Sequence, residues 1–367
     1  MRATEAAAEA RRVMEICNAC RYCEGFCAVF PAMTLKREFS DPDLAYLANL
    51  CHGCRGCYYA CQYAPPHEWG VNVPATFALL RTDTYAEYAW PPRAAALFQR
   101  NGVVVSLALA AAVALVLILA GLANPGGAFT AARPMAPGAF YDVIPLWAMQ
   151  AVGIASFGFA LVAMAMGARN FWRDAGARSA GPVAVGLALW DVLTLRNLGG
   201  GGNGCNDNSE RFSMHRRWLH HAMFYGFMLC FAATCTGFVY HAFLGWAAPY
   251  PLLSAPVVLG TVGGVLLLIG TGGMLALRQV ADPAVHPRAL LGGDLAILVL
   301  LALSALTGIV LLGLRSTGAM APALAVHLGV VLALFVTLPY SRMIHGAYRS
   351  LALLRRAAER NKTPTSG

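Results

Sequence analysis

The sequence predicts an all-α protein in two parts: a polar, cysteine-rich helical domain at the N-terminus and a bundle of six transmembrane helices after it. Three observations carry this. Hydrophobic residues make up 58% of the 367-residue chain and charged residues only 12%, whereas a soluble globular protein carries about 25% charged residues. The composition turns sharply from polar to apolar near Arg100. Eight of the eleven cysteines lie within the first 61 residues.

Residues 1–100 form the first domain. Its opening, MRATEAAAEARRVMEIC, holds no apolar stretch that would serve as a signal peptide. The cysteines are therefore expected in a reducing compartment, where they read as metal ligands rather than disulfides. Cys17, Cys20, Cys23 and Cys27 are spaced C-x2-C-x2-C-x3-C, and Cys51, Cys54, Cys57 and Cys61 repeat the spacing. Three closely spaced thiolates surround one face of an iron–sulfur cubane, and in two-cluster ferredoxins the fourth cysteine of each run ligates the other cluster. The spacing thus predicts two [4Fe-4S] clusters, one on Cys17, Cys20, Cys23 and Cys61 and the other on Cys51, Cys54, Cys57 and Cys27. Structural zinc is disfavoured, since it takes its ligands as separated pairs. Ala28 and Gln62 follow the two runs where ferredoxins carry proline. The segment DPDLAYLANL between the runs reads as a helix with Asp41 as N-cap and Pro42 at its first position. Both features favour a helical ferredoxin-like domain over a compact bacterial ferredoxin.

Residues 101–348 form the membrane domain. Apolar runs of the roughly 20 residues needed to cross a bilayer lie at 102–123, 144–168, 218–245, 251–277, 290–314 and 321–341. The connection after the second run carries Arg169, Arg173, Arg178, Arg196, Arg211, Arg216 and Arg217, whereas the connection after the first carries only Arg133. By the positive-inside rule the 169–217 loop is cytoplasmic. So are both termini, including a basic tail over 349–367 with Arg349, Arg355, Arg356, Arg360 and Lys362. This topology also accounts for the net charge of +9 without a nucleic-acid-binding face. The loop contains LGGGGNGC, which fits GxGxxG through Gly199, Gly201 and Gly204. A dinucleotide site is rejected, because that motif needs a βαβ unit, and the segment reads as a flexible loop. Cys205, Cys230 and Cys235 lack ligand spacing and read as packing residues.

Ionisable residues inside membrane spans are costly and tend to be functional. His220, His221 and His241 lie on the third span, and His327 and His345 bracket the sixth. Along a continuous helix His220 and His241 are about 31 Å apart and His327 and His345 about 27 Å. Since the two spans run antiparallel, the spacing predicts bis-histidine sites for one or two b-type haems in a cytochrome b-like bundle, on His220 with His345, the favoured cytoplasmic site, and on His241 with His327. Helical phase favours His220 over His221, which stands about 160° from His241 and is left as the alternate ligand or a propionate partner. Arg342, one turn before His345, reads either as a propionate anchor or as an ordinary positive-inside residue.

The stretches NLCHGCRGCYYACQYAPPHEWGVNVP (49–74), LGGGGNGCNDNSERFSMHRRWLHH (198–221) and LPYSRMIHGAYR (338–349) are those of the tricarballylate-utilisation B proteins (TcuB, also CitB), relatives of the membrane half of CobZ. The whole chain resembles that family. The resemblance implies a partner, a TcuA-like FAD-dependent dehydrogenase that oxidises tricarballylate, whose reduced flavin this chain would reoxidise while passing electrons towards membrane quinone. LPYSRMIHG is also similar to the last span of the nitrate reductase gamma subunit, a cytochrome b, which implies haem binding at His327 and His345. The expected function is that of an electron-transfer oxidoreductase subunit, one that reduces quinone in a bacterial inner membrane. No nucleophile–base pair or catalytic carboxylate pair points to a second activity. The alternatives are the redox component of a CobZ-like cobalamin-synthesis system, whose flavin-binding half this chain lacks, and a redox sensor, for which no output domain is present.

Overall fold

The computed structural model describes residues 4–98, 100–132, 136–175, 180–207 and 209–360. Arg133, Arg178 and the tail from 361, with Lys362, lie outside the described residues. Among the described residues the secondary structure is helical, with no β-strand.

The N-terminal domain comprises α1 (Glu5–Cys20), α2 (Val29–Met33), α3 (Asp41–Leu50), α4 (Gly56–Tyr59) and α5 (Val73–Glu87). Helix α1 starts at Thr4, whose hydroxyl accepts the Ala7 amide, satisfying one of the first-turn donors left without helical partners. The cap of α3 is Ser40 rather than Asp41: its hydroxyl accepts the Asp43 amide, which places Asp41 and Pro42 in the first turn. Met14, Phe30, Met33, Leu44, Leu47 and Phe77 are fully buried between the helices.

Six long helices follow: α6 (Asn101–Ala123), α7 (Leu146–Asp174), and then, after the short α8 (Pro182–Leu193), α9 (His215–Leu244), α10 (Ala255–Val280), α11 (Leu291–Leu314) and α12 (Met320–Thr337). Six helical segments are long and apolar enough to cross a membrane, and they coincide with the apolar runs of the sequence. Helix α9 lies along α10, α10 on α11, α11 on α12 and α6, and α12 on α6 and α7. Small residues allow the closest of these approaches, as is usual between membrane helices. A Cβ on Gly226 would stand 2.6 Å from the Leu267 amide nitrogen, and one on Gly263 2.8 Å from that of Cys230. Gly226→Leu should therefore force α9 and α10 apart, costing about 1–3 kcal/mol as overpacking does. The check is a lowered thermal midpoint of the detergent-solubilised protein.

The described part of the basic tail read from 349 onward is helical. After two 3-10 turns at Leu338–Tyr340 and Arg342–Ile344, α13 (His345–Arg360) packs back on the N-terminal domain. Tyr348 stacks on Tyr85 of α5 with ring centres 5.4 Å apart and meets Phe171 of α7 edge-on at 5.3 Å. Arg355 pairs with Asp43 at 3.1 Å and lies over the Tyr46 ring, whose hydroxyl donates to Glu359 at 2.8 Å. An amphipathic helix must bury its apolar stripe, and the N-terminal domain and α8 supply the surface.

Candidate functional site

The two cysteine runs interleave in space. Cys17, Cys20, Cys23 and Cys61 line one cavity of about 290 Å³, with Cys57 on its wall. Cys27, Cys51, Cys54 and Cys57 line a second, narrower cavity. Sharp backbone turns bring them inward: Arg21 (φ 56°), Gly53 (φ 64°) and Arg55 (φ 67°) are all left-handed. For arginine this conformation costs free energy and is held by surrounding contacts, as happens at functional sites. Arg55 is fixed by donating to the Asp207 carbonyl. Burial drives the Cys17 and Cys23 thiols up to about 12, whereas a hydrogen bond with Cys27 lowers Cys54 to about 6. Among the described residues no three of these groups converge on one point as a single metal ion requires.

The glycine-rich 169–217 loop is not free but folds over the second run. The Asn206 amide donates to the Cys54 carbonyl at 2.9 Å, and the Cys205 thiol donates to the Leu198 carbonyl at 3.0 Å. Gly204 has a φ of +112°, and a Cβ there would lie 2.8 Å from the Ser213 carbonyl carbon. Gly200, Gly201 and Gly204 serve close backbone approach, since a Cβ on each would meet backbone atoms.

Of the histidines, the fold brings His220 and His345 together, with ring centres 6.2 Å apart. Both lie deep in the protein yet keep some accessible surface. His345 Nδ1 is 2.6 Å from the Arg342 carbonyl. A carbonyl only accepts, so Nδ1 carries the proton and Nε2 keeps a free lone pair, the arrangement of a metal-binding imidazole. Burial holds His345 down to about 4, so it is neutral at physiological pH. On His220, Nδ1 is buried with no hydrogen-bond partner among the described residues, an orphan that calls for an explanation.

His241 and His327 are not brought together. His241 meets Tyr141 edge-on, its Nδ1 3.5 Å from the hydroxyl. His327 faces α11, its Nδ1 3.0 Å from Thr307 Oγ1. The spacing of about 27 Å between His327 and His345 assumed one continuous helix, but α12 ends at Thr337 and two 3-10 turns separate it from α13. His221 is not positioned as an alternate to His220. It stacks on Tyr225 and donates to the Arg217 carbonyl, and exposed Trp218 and Tyr225 flank it. Beside His327 lies a cavity of about 470 Å³, apolar for most of its wall and edged by Tyr141, Cys230, Tyr250 and Arg315.

Arg342 is engaged by a carboxylate that the sequence reading passed over. Asp294 of α11 pairs with Arg342 at 2.9 Å, with His286 at 3.3 Å and with Arg278. A lone acid in an otherwise uncharged span was the signal, since such residues are rarely idle. Through Arg342 the network fixes the turn whose carbonyl orients His345. Two residues placed in the loop and tail also reach the second run: Arg216 donates to the Gly53 carbonyl, and Arg349 donates to that of Cys51 at 3.0 Å.

Comparison with known proteins follows the same division. Residues 98–366 match the family model described as citrate utilization protein B, and residues 10–87 match the model of its Fer4-like domain. The chain is 45% identical over 370 residues to the citrate utilization protein B of Escherichia coli, covering 99% of this chain and 95% of that protein. No solved structure matches.

Proposed function

Because the chain belongs to the citrate utilization protein B family, we propose that it is a membrane electron-transfer protein that reoxidises the flavin of a partner dehydrogenase and delivers the electrons to quinone. The observation that carries the reading is the alignment of three constellations. Two sets of four thiols lie side by side in the N-terminal domain, and the His220–His345 pair is linked to the second set by Arg349, one turn beyond His345, which donates to the Cys51 carbonyl. Two [4Fe-4S] clusters and one b-type haem, when bound, supply one-electron chemistry. The thiols divide as Cys17, Cys20, Cys23 and Cys61 for one cluster and Cys27, Cys51, Cys54 and Cys57 for the other.

The fit of a haem rests on donor geometry. Two imidazoles sharing one iron, at the roughly 2 Å of imidazole–metal bonds, have ring centres about 6 Å apart. The 6.2 Å between His220 and His345 matches this, and the free lone pair of His345 and the orphaned nitrogen of His220 suit ligation. Asp294 and Arg342 act as positioning residues, holding the His345 ring through its Nδ1 proton. The second pair is not carried forward, since His241 and His327 point to different neighbours. The cavity beside His327 is of the size ligand pockets have, about 300–1,000 Å³, and its apolar wall suits a quinone entering from the bilayer.

Electrons and protons balance across the two ends. The partner's reduced flavin gives up two electrons and two protons, and the quinone takes up two of each. The partner is a TcuA-like FAD enzyme acting on tricarballylate, the N-terminal domain and both termini face the cytoplasm, and the membrane is the bacterial inner membrane. The test is metal analysis followed by turnover. The purified protein should hold about eight iron and about eight acid-labile sulfide in clusters per chain plus one haem, and the reduced flavoprotein should bleach the clusters and then reduce the haem. Values near four of each, or no reduction by the flavoprotein, would overturn it.

A further inference from the structure

Three arginines from three separate parts of the chain gather on the second cysteine run. Arg349 of α13 donates to the Asn49 and Cys51 carbonyls at 3.4 and 3.0 Å, and Arg81 of α5 donates to the Ala48 and Cys51 carbonyls at 3.0 and 3.2 Å. Arg216 of α9 donates to the Gly53 carbonyl. Among the described residues none of the three pairs with a carboxylate. Partly buried charges of one sign repel one another and need an anion nearby.

Among the described residues the first run has no such wall. The cation bonded to its backbone is Arg21, which donates to the Asn18 carbonyl at 3.0 Å from an exposed position, where water and salt screen it. Glu24 stands within the run itself. The surface there is open, with Tyr22 68% and Trp69 43% exposed, while Cys51 and Cys54 of the second run are buried.

We infer that Arg81, Arg216 and Arg349 raise the reduction potential of the cluster on the second run above that of the first, and so set the direction of electron flow. This rests on the two-cluster reading above. Transfer of one electron from the first cluster to the second would leave the first oxidised and the second more negative by one charge, a state that nearby cations favour. Burial acts the other way, because desolvation penalises the more negative form. Three poorly screened charges outweigh it. The first cluster is thereby the entry, under the exposed face of Tyr22 and Trp69. The second is the exit, since Arg349 lies one helical turn beyond His345 and holds the Cys51 carbonyl.

The experiment is a potentiometric titration, followed by electron paramagnetic resonance, of membranes carrying the full-length chain. Cys20→Ser first identifies the signal of the first cluster by its loss. Arg349→Gln and Arg81→Gln should each move the second cluster's midpoint to a more negative potential, leaving the first in place and iron and sulfide contents unchanged. Arg349→Lys, which keeps the charge, should return most of the shift. Equal movement of both midpoints, no movement at full cluster content, or a lysine variant that behaves like glutamine would overturn the inference. Should Arg349→Gln lose its cluster, Arg216→Gln decides by the same criteria. Finding one cluster in the unaltered protein would defeat the underlying reading instead.

Discussion

His345→Ala is expected to abolish the low-spin haem spectrum completely while iron–sulfur content stays at its full value. The ring is half of a pair 6.2 Å across, and its Nδ1 proton is committed to the Arg342 carbonyl, which leaves Nε2 as the donor that the substitution removes. His220→Ala should do the same. His221→Ala should not, because that ring stacks on Tyr225 rather than facing His345. His241→Ala should also leave the spectrum unchanged, as its ring rests on Tyr141. His327→Ala should keep the haem but slow quinone reduction, since His327 lines the 470 Å³ cavity. Pyridine haemochrome content, optical spectra and flavoprotein-driven quinone reduction separate these outcomes. A haem retained at full occupancy in both His220→Ala and His345→Ala would refute the pairing.

Comparable in size is the expected effect of Cys61→Ser. If the runs exchange their fourth ligands, this change should remove or convert the cluster held by Cys17, Cys20 and Cys23 and spare its neighbour. Cys27→Ser should do the reverse. The interleaving supports this, because Cys61 lies in the cavity of the first three cysteines and Cys27 hydrogen-bonds Cys54. Loss confined in each variant to the run that contains the substitution would show local ligation. Paramagnetic resonance of the reduced variants, with iron and sulfide contents, reads the difference directly.

Much of the molecule was legible in the chain because the physics behind it is local. Crossing a bilayer takes a run of apolar residues whatever surrounds it, so the six spans could be read from hydropathy to within a few residues at most ends. The Cys17–Cys27 and Cys51–Cys61 runs were legible for a similar reason: close spacing and a few left-handed residues turn the cysteines towards two neighbouring cavities. The choice of His220 over His221 also followed from helical phase within one unbroken helix.

What the sequence left open depends on contacts between distant segments. A 3-10 break after Thr337 cannot be seen in hydropathy, yet it separates His327 from His345 in phase. Residues 345–360 look like a basic tail until the N-terminal domain offers a surface for their apolar stripe, and only then do Tyr348 and Arg355 acquire partners. Arg342 was read against a propionate or the membrane interface, while its neighbour in space, Asp294, lies 48 positions earlier in the chain. By itself, then, the sequence determined the helices, the division into two domains and the two groups of cysteines, all set by composition and short-range spacing. The tertiary structure alone decided which histidines face each other and which arginines surround the second run, because burial, partner choice and local field belong to the folded arrangement and to no single segment.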